Sequence, residues 1–254
     1  MLSDKRWTEL LHTRATNPSA VRQAYATRKR RSRLLSDNGT LFLVAAEHPA
    51  RGAPDRRTLL DRLLVALASP AVDGVVGTPD IVEDLLLLGA LHDKIVFGSM
   101  NRDDGFTGYD ARTLVDCELD GGDMLLRTVD SGPGPASNLQ DCADAVTELA
   151  AYGLVAMIEP VPQENPDSLA RVVTIASALG TTSAHTWLKL PPTGSTGVLG
   201  ATTLPVVLGG MPPDRMPWHR VVRGLVIGRT LLHPPGGDTR AAVEAAAKVL
   251  EAAK

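Results

Sequence analysis

From residue 40 onward, short apolar runs alternate with helical stretches of about 10–15 residues, and this alternation constrains the fold more than anything else in the chain. Residues 41–46, 74–77, 94–97 and 123–127 read as the first four strands, and 154–159, 185–190, 204–208 and 224–227 as the next four. Most are continuously apolar, the pattern of strands buried on both faces in a parallel sheet. Eight such units in a chain of 254 residues predict a closed (β/α)8 TIM barrel rather than an open doubly wound sheet. No Gly-x-Gly-x-x-Gly follows the first strand, which argues against a dinucleotide-binding fold.

Residues 1–39 read as an N-terminal helical extension, with helices over roughly 4–13 and 18–33, and residues 40–254 as the barrel. The second helix is expected to end in Arg28-Lys-Arg-Arg31-Ser-Arg33, a basic cluster that suits a solvated helix end better than a nucleic-acid patch. The net charge of -3 likewise gives no reason to expect nucleic acid or an anionic membrane as partner. Cys117 and Cys142 are read as reduced core thiols. The start lacks a signal-like apolar segment and no run reaches the ~20 residues of a membrane span, so a cytoplasmic location is expected.

Within this frame the sixth strand stands out. Alternation along His185-Thr-Trp-Leu-Lys189-Leu puts Trp187 and Lys189 on one face, and Pro191-Pro192 then stops the ladder. Lys189 therefore ends a buried strand, where a charged amine is costly and a neutral, nucleophilic one is expected. Such an amine can form a Schiff base with a carbonyl substrate. The alternative is a lysine snorkelling to a surface carboxylate.

Catalytic groups of this fold stand at the strands' carboxyl ends. Glu47 and His48 follow the first strand, Asn101 the third, and Arg127 and Glu159 end the fourth and fifth. Glu159, in phase with Val155 and Met157, is expected beside Lys189 as a proton shuttle, or else paired with Arg127. Gly209 and Gly210 after the seventh strand, with Gly228 and Arg229 after the eighth, suit a phosphate site or a pair of tight turns. The six histidines lack zinc-ligand spacing, so no metal is expected.

Several motifs carry a family resemblance: Ala46-Glu-His-Pro-Ala-Arg-Gly52, Gly105-Phe-Thr-Gly-Tyr-Asp110, Met124-Leu-Leu-Arg127, Ile158-Glu-Pro160, Trp187-Leu-Lys-Leu190, Gly209-Gly210 and Ile227-Gly-Arg229. On these the chain resembles the class I aldolases that include deoxyribose-phosphate, tagatose-1,6-bisphosphate and archaeal-type fructose-bisphosphate aldolases. It looks most similar to an actinobacterial aldolase-like group linked to inositol catabolism. The resemblance implies a Schiff base on Lys189, acid/base work by Glu159, and positioning roles for Arg127 and Glu47. It also implies substrate or phosphate contacts from His48, Asn101, Gly209, Gly210, Gly228 and Arg229. No cofactor is implied beyond the covalent imine. Expected partners are a phosphorylated sugar and further copies of the chain in a homo-oligomer. Two other functions fit the same residues: a non-catalytic sugar-phosphate sensor, and an isomerase or epimerase using paired carboxylates.

Overall fold

The computed structural model describes residues 2–46, 55–101, 105–128, 135–161, 168–193, 195–211 and 218–252. Its eight strands are β1 (Leu41–Ala46), β2 (Gly74–Gly77), β3 (Ile95–Ser99), β4 (Gly121–Arg127), β5 (Val155–Val161), β6 (Thr186–Leu190), β7 (Val206–Leu208) and β8 (Val222–Ile227). Each pairs in parallel with its sequence neighbours, and β8 returns to β1 to close the barrel. The expected (β/α)8 architecture is the observed one.

Helices α3 (Arg56–Leu67), α4 (Pro79–Leu87), α5 (Ala111–Asp116), α6 (Pro135–Ala151), α7 (Ser168–Ser177) and α8 (Thr196–Leu199) follow β1 to β6 in turn, and α9 (Arg229–Leu232) and α10 (Thr239–Ala252) both come after β8. Local chemistry sets their starts. Asp55 caps α3 and Asp110 caps α5, each accepting the backbone N–H three residues on, while Pro79 begins α4.

Alternation splits the apolar side chains into two cores. Phe42, Val44, Val96, Met124, Leu126 and Leu188 are among those facing the helices. Leu41, Leu43, Ile95, Phe97, Met157, Trp187, Val207 and Val226 fill the barrel's interior. The barrel's interior is thus filled by side chains.

The N-terminal extension differs from expectation. Helices α1 (Asp4–Thr16) and α2 (Ser19–Thr27) form, but α2 stops before the basic cluster. Residues 28–35 instead run across the amino end of the barrel, where Leu34 and Leu35 pack against the interior core. The arginines meet aspartates there that α-helical continuation would not reach. Arg28, buried, donates to the Lys94 and Glu118 carbonyls and lies 3.7 Å from Asp120. Arg30 also contacts Asp120, and Arg31 bonds Asp73. Asp73 and Asp120 in turn accept the Phe42 and Val96 N–H groups at the strands' starts.

No helix among the described residues is long and apolar enough to cross a membrane. Cys117 and Cys142 are free thiols; burial raises the first and pushes the second up to about 12, so neither is a thiolate near neutrality.

Candidate active site at the carboxyl ends of the strands

Lys189 stands on the inner face of β6, one turn of the pleat above Trp187, and its side chain is only 4% exposed. Its Nζ lies 2.8 Å from Glu159 Oε2 and 3.8 Å from Asp123 Oδ1. Strand register explains the meeting. Met157 is level with Trp187, so Glu159, two residues on, comes level with Lys189; Asp123, level with Met157, sits one layer below. The snorkelling alternative is excluded, because the amine points into the barrel.

The surroundings are more polar than the sequence suggests. Two carboxylates, not one, stand beside the buried amine. The carboxylates differ in access: Asp123 is 3% exposed and Glu159 29%. One is sealed beneath the amine, and the other is partly open to solvent.

Asp123 is the site residue that strand-end reading misses, since it lies four residues before Arg127 rather than at the strand's tip. Its signal was present in the same alternation that placed Glu159: Asp123 is in phase with Arg127. Ser99, buried on β3 and level with Asp123, adds a hydroxyl to this layer.

Among the expected residues, Arg127 ends β4 half-buried, level with Val161, and its N–H is held by Asn138 of α6. Asn101 is buried, with its side-chain amide bonded to the backbone of Leu125. Glu47 and His48 lie outside the described residues.

Gly209 follows β7 directly beside the lysine: a Cβ there would come within 3.4 Å of the Lys189 Cγ. Gly210 has φ 140°, a conformation open to glycine, so the tight-turn reading holds at that position. Gly228 has φ -104° and instead faces the Ala45 carbonyl, 3.1 Å from where a Cβ would stand. Arg229 begins α9 exposed to solvent. Among the described residues no group of three His, Cys, Asp or Glu is placed to hold a metal ion.

A closed parallel barrel with a buried lysine between two carboxylates at its mouth defines the class: a (β/α)8 protein with an amine-centred site. Within that class the chain belongs to the Cgl0159-like family, whose model matches residues 39–247. The crystal structure of Cgl0159 from Corynebacterium glutamicum (Brevibacterium flavum) is 38% identical, with a TM-score of 0.91 over 98% of both chains. A Schiff-base-forming fructose-1,6-bisphosphate aldolase superposes with a TM-score of 0.63 at 15% identity, over 90% of this chain and 99% of its own. An archaeal fructose-1,6-bisphosphate aldolase, solved with its catalytic lysine bound to a carbinolamine intermediate, gives 0.64 at 15% identity, over 91% and 98%. At that identity the likeness to the two aldolases is one of fold. No curated protein matches the chain.

Proposed function

We propose that the protein is a class I aldolase that makes or breaks a carbon–carbon bond in a phosphorylated keto sugar through an imine on Lys189. The observation that carries this reading is the buried amine 2.8 Å from Glu159 at the barrel's mouth.

Glu159 takes a proton from Lys189, and the free amine adds to the substrate's ketone to give a carbinolamine. The protonated Glu159 returns its proton to the carbinolamine hydroxyl, which leaves as water, and the iminium forms. The iminium accepts the electron pair of the breaking carbon–carbon bond. A carboxylate takes the proton of the hydroxyl that becomes the departing aldehyde. The enamine left on Lys189 is protonated at carbon, and water hydrolyses the imine to release the ketone product. Asp123 stabilises the cationic nitrogen from below throughout.

The phosphate is assigned to the loops after β7 and β8, at Gly209, Gly210, Gly228 and Arg229; the Gly209 and Gly210 N–H groups donate to the Leu190 and Leu208 carbonyls, so those two glycines would make room for the anion while Arg229 supplies charge. Arg127 and Glu47 would position hydroxyls or charge, and His48 would contact substrate. The narrower substrate, 2-deoxy-5-keto-gluconate 6-phosphate cleaved to dihydroxyacetone phosphate and malonate semialdehyde, rests on the resemblance to the inositol-linked group. So does a homo-oligomer.

The test is reduction with borohydride in the presence of dihydroxyacetone phosphate, followed by peptide mapping. The reading expects a reduced adduct on Lys189 and none in Lys189→Arg. Phosphate binding without an adduct would favour a sensor, and turnover insensitive to borohydride an isomerase.

A further inference from the structure

We propose that Asn101 is a positioning residue for the lysine site: its side-chain amide replaces a missing rung of β3 and holds the end of β4, with Asp123 and Arg127, in the barrel wall. Its catalytic consequence rests on the imine reading, but the placement of the strand does not.

The register of β3 with β4 stops at Ser99 and Asp123, and Met100 N–H donates to the Asp123 carbonyl at 2.9 Å. Leu125 next turns an N–H and a C=O toward β3, because the two groups of one residue share a side and successive residues alternate. Asn101 meets both. Its Nδ2 donates to the Leu125 carbonyl at 2.8 Å, and the Leu125 N–H donates to its Oδ1 at 2.7 Å. On the other edge Leu125 is level with Glu159. Asn101 is 3% exposed, so this amide is turned into the wall.

The Gly105-Phe-Thr-Gly-Tyr-Asp110 motif holds the two residues before Asn101 in place. Beyond β3 the chain doubles back, with Gly108 N–H donating to the Met100 carbonyl at 2.9 Å and Tyr109 N–H to the Ser99 carbonyl at 3.0 Å. A Cβ on Gly108 would stand 2.0 Å from the Ser99 oxygen, so the close approach requires glycine. The Tyr109 hydroxyl is then fixed, 2.7 Å from that of Tyr25 on α2. Motif, splint and catalytic strand are one connected unit.

Without the amide, two buried backbone groups lose their partners and the tip of β4 is released. Asp123 lies two residues before Leu125, so its distance to Lys189 depends on the wall staying in place.

The test uses full-length Asn101→Ala and Asn101→Asp near pH 7.5. Amide exchange at Leu125 needs no reaction: protection should fall about tenfold or more in the alanine variant and stay within about threefold in the aspartate variant, which keeps an acceptor for the N–H. Borohydride trapping of dihydroxyacetone phosphate on Lys189 should slow by roughly 10–100-fold in the alanine variant, with the half-saturating concentration moved less than about threefold. In the aspartate variant, which loses the donor to the Leu125 carbonyl, trapping should slow by at least about threefold. Unchanged Leu125 protection in the alanine variant overturns the proposal. So does a roughly tenfold rise in half-saturation at an unchanged limiting rate, the mark of a ligand contact. If the alanine variant does not fold, wild-type trapping by the aspartate variant overturns it. If the wild-type protein traps nothing while Leu125 protection falls as expected, the imine reading fails and the splint stands.

Discussion

The two ends of the barrel solve the same electrostatic problem with different cations. At the amino end, Arg28, Arg30 and Arg31 meet Asp120 and Asp73; at the carboxyl end, Lys189 meets Asp123 and Glu159. Asp120 and Asp123 are three residues apart in the chain and serve opposite ends. At the amino end each carboxylate also receives a strand N–H, and Arg28 is further anchored on two carbonyls. Guanidinium keeps its proton at any ordinary pH, so that end can only hold. The carboxyl end uses an amine, which can lose a proton and attack carbon, and sets it against a carboxylate 29% exposed to solvent. One end carries a permanent cation, and the other a cation of the kind that can give up its proton.

The largest effect expected is at the carboxyl end. Lys189→Arg preserves charge but removes the transferable proton, and activity should fall by on the order of 10⁴–10⁶-fold in a steady-state assay, with the fold intact by circular dichroism. Retained turnover would mean the cation, not the amine, is what matters there. Glu159→Gln should cost about 10²–10⁴-fold in kcat, with little change in Tm.

At the amino end the outcome should reverse. Asp120→Ala strands Arg28 and the Val96 N–H, and denaturant unfolding should show a loss of about 3–5 kcal/mol, while kcat per folded molecule stays near that of the unaltered protein. A fall in kcat at full folding would couple the two ends and break the contrast.

The smallest effect concerns pH. The Thr113 N–H and hydroxyl hold the Asp110 carboxyl below its ordinary value, so its cap on α5 contributes above an unfolded pKa of about 3.9 and is lost as pH falls through the lower folded value. Asp110→Ala should cost about 1 kcal/mol near neutrality, and the difference from the unaltered protein should shrink in acid unfolding curves.

The barrel was legible because eight buried strands leave an unmistakable apolar rhythm, and Lys189 and Glu159 followed from period-two alternation near strand ends. Asp123 obeys the same rule but sits deeper, where a search confined to strand tips does not look. The basic cluster was misplaced onto a helix because its partners, Asp73 and Asp120, lie 42 and 90 residues away from Arg31 and Arg30. Local sequence carries no sign of such pairings. Asn101 was correctly placed at the end of β3, yet nothing local shows that its amide is engaged by Leu125.

A carbon-13 spectrum of the protein mixed with dihydroxyacetone phosphate labelled at its carbonyl carbon bears most directly on the transferable proton of Lys189. An iminium resonance should appear with the unaltered protein, vanish on borohydride reduction, and be missing for Lys189→Arg. A spectrum holding only free ketone and its hydrate, at protein concentrations where binding is saturated, would contradict the account.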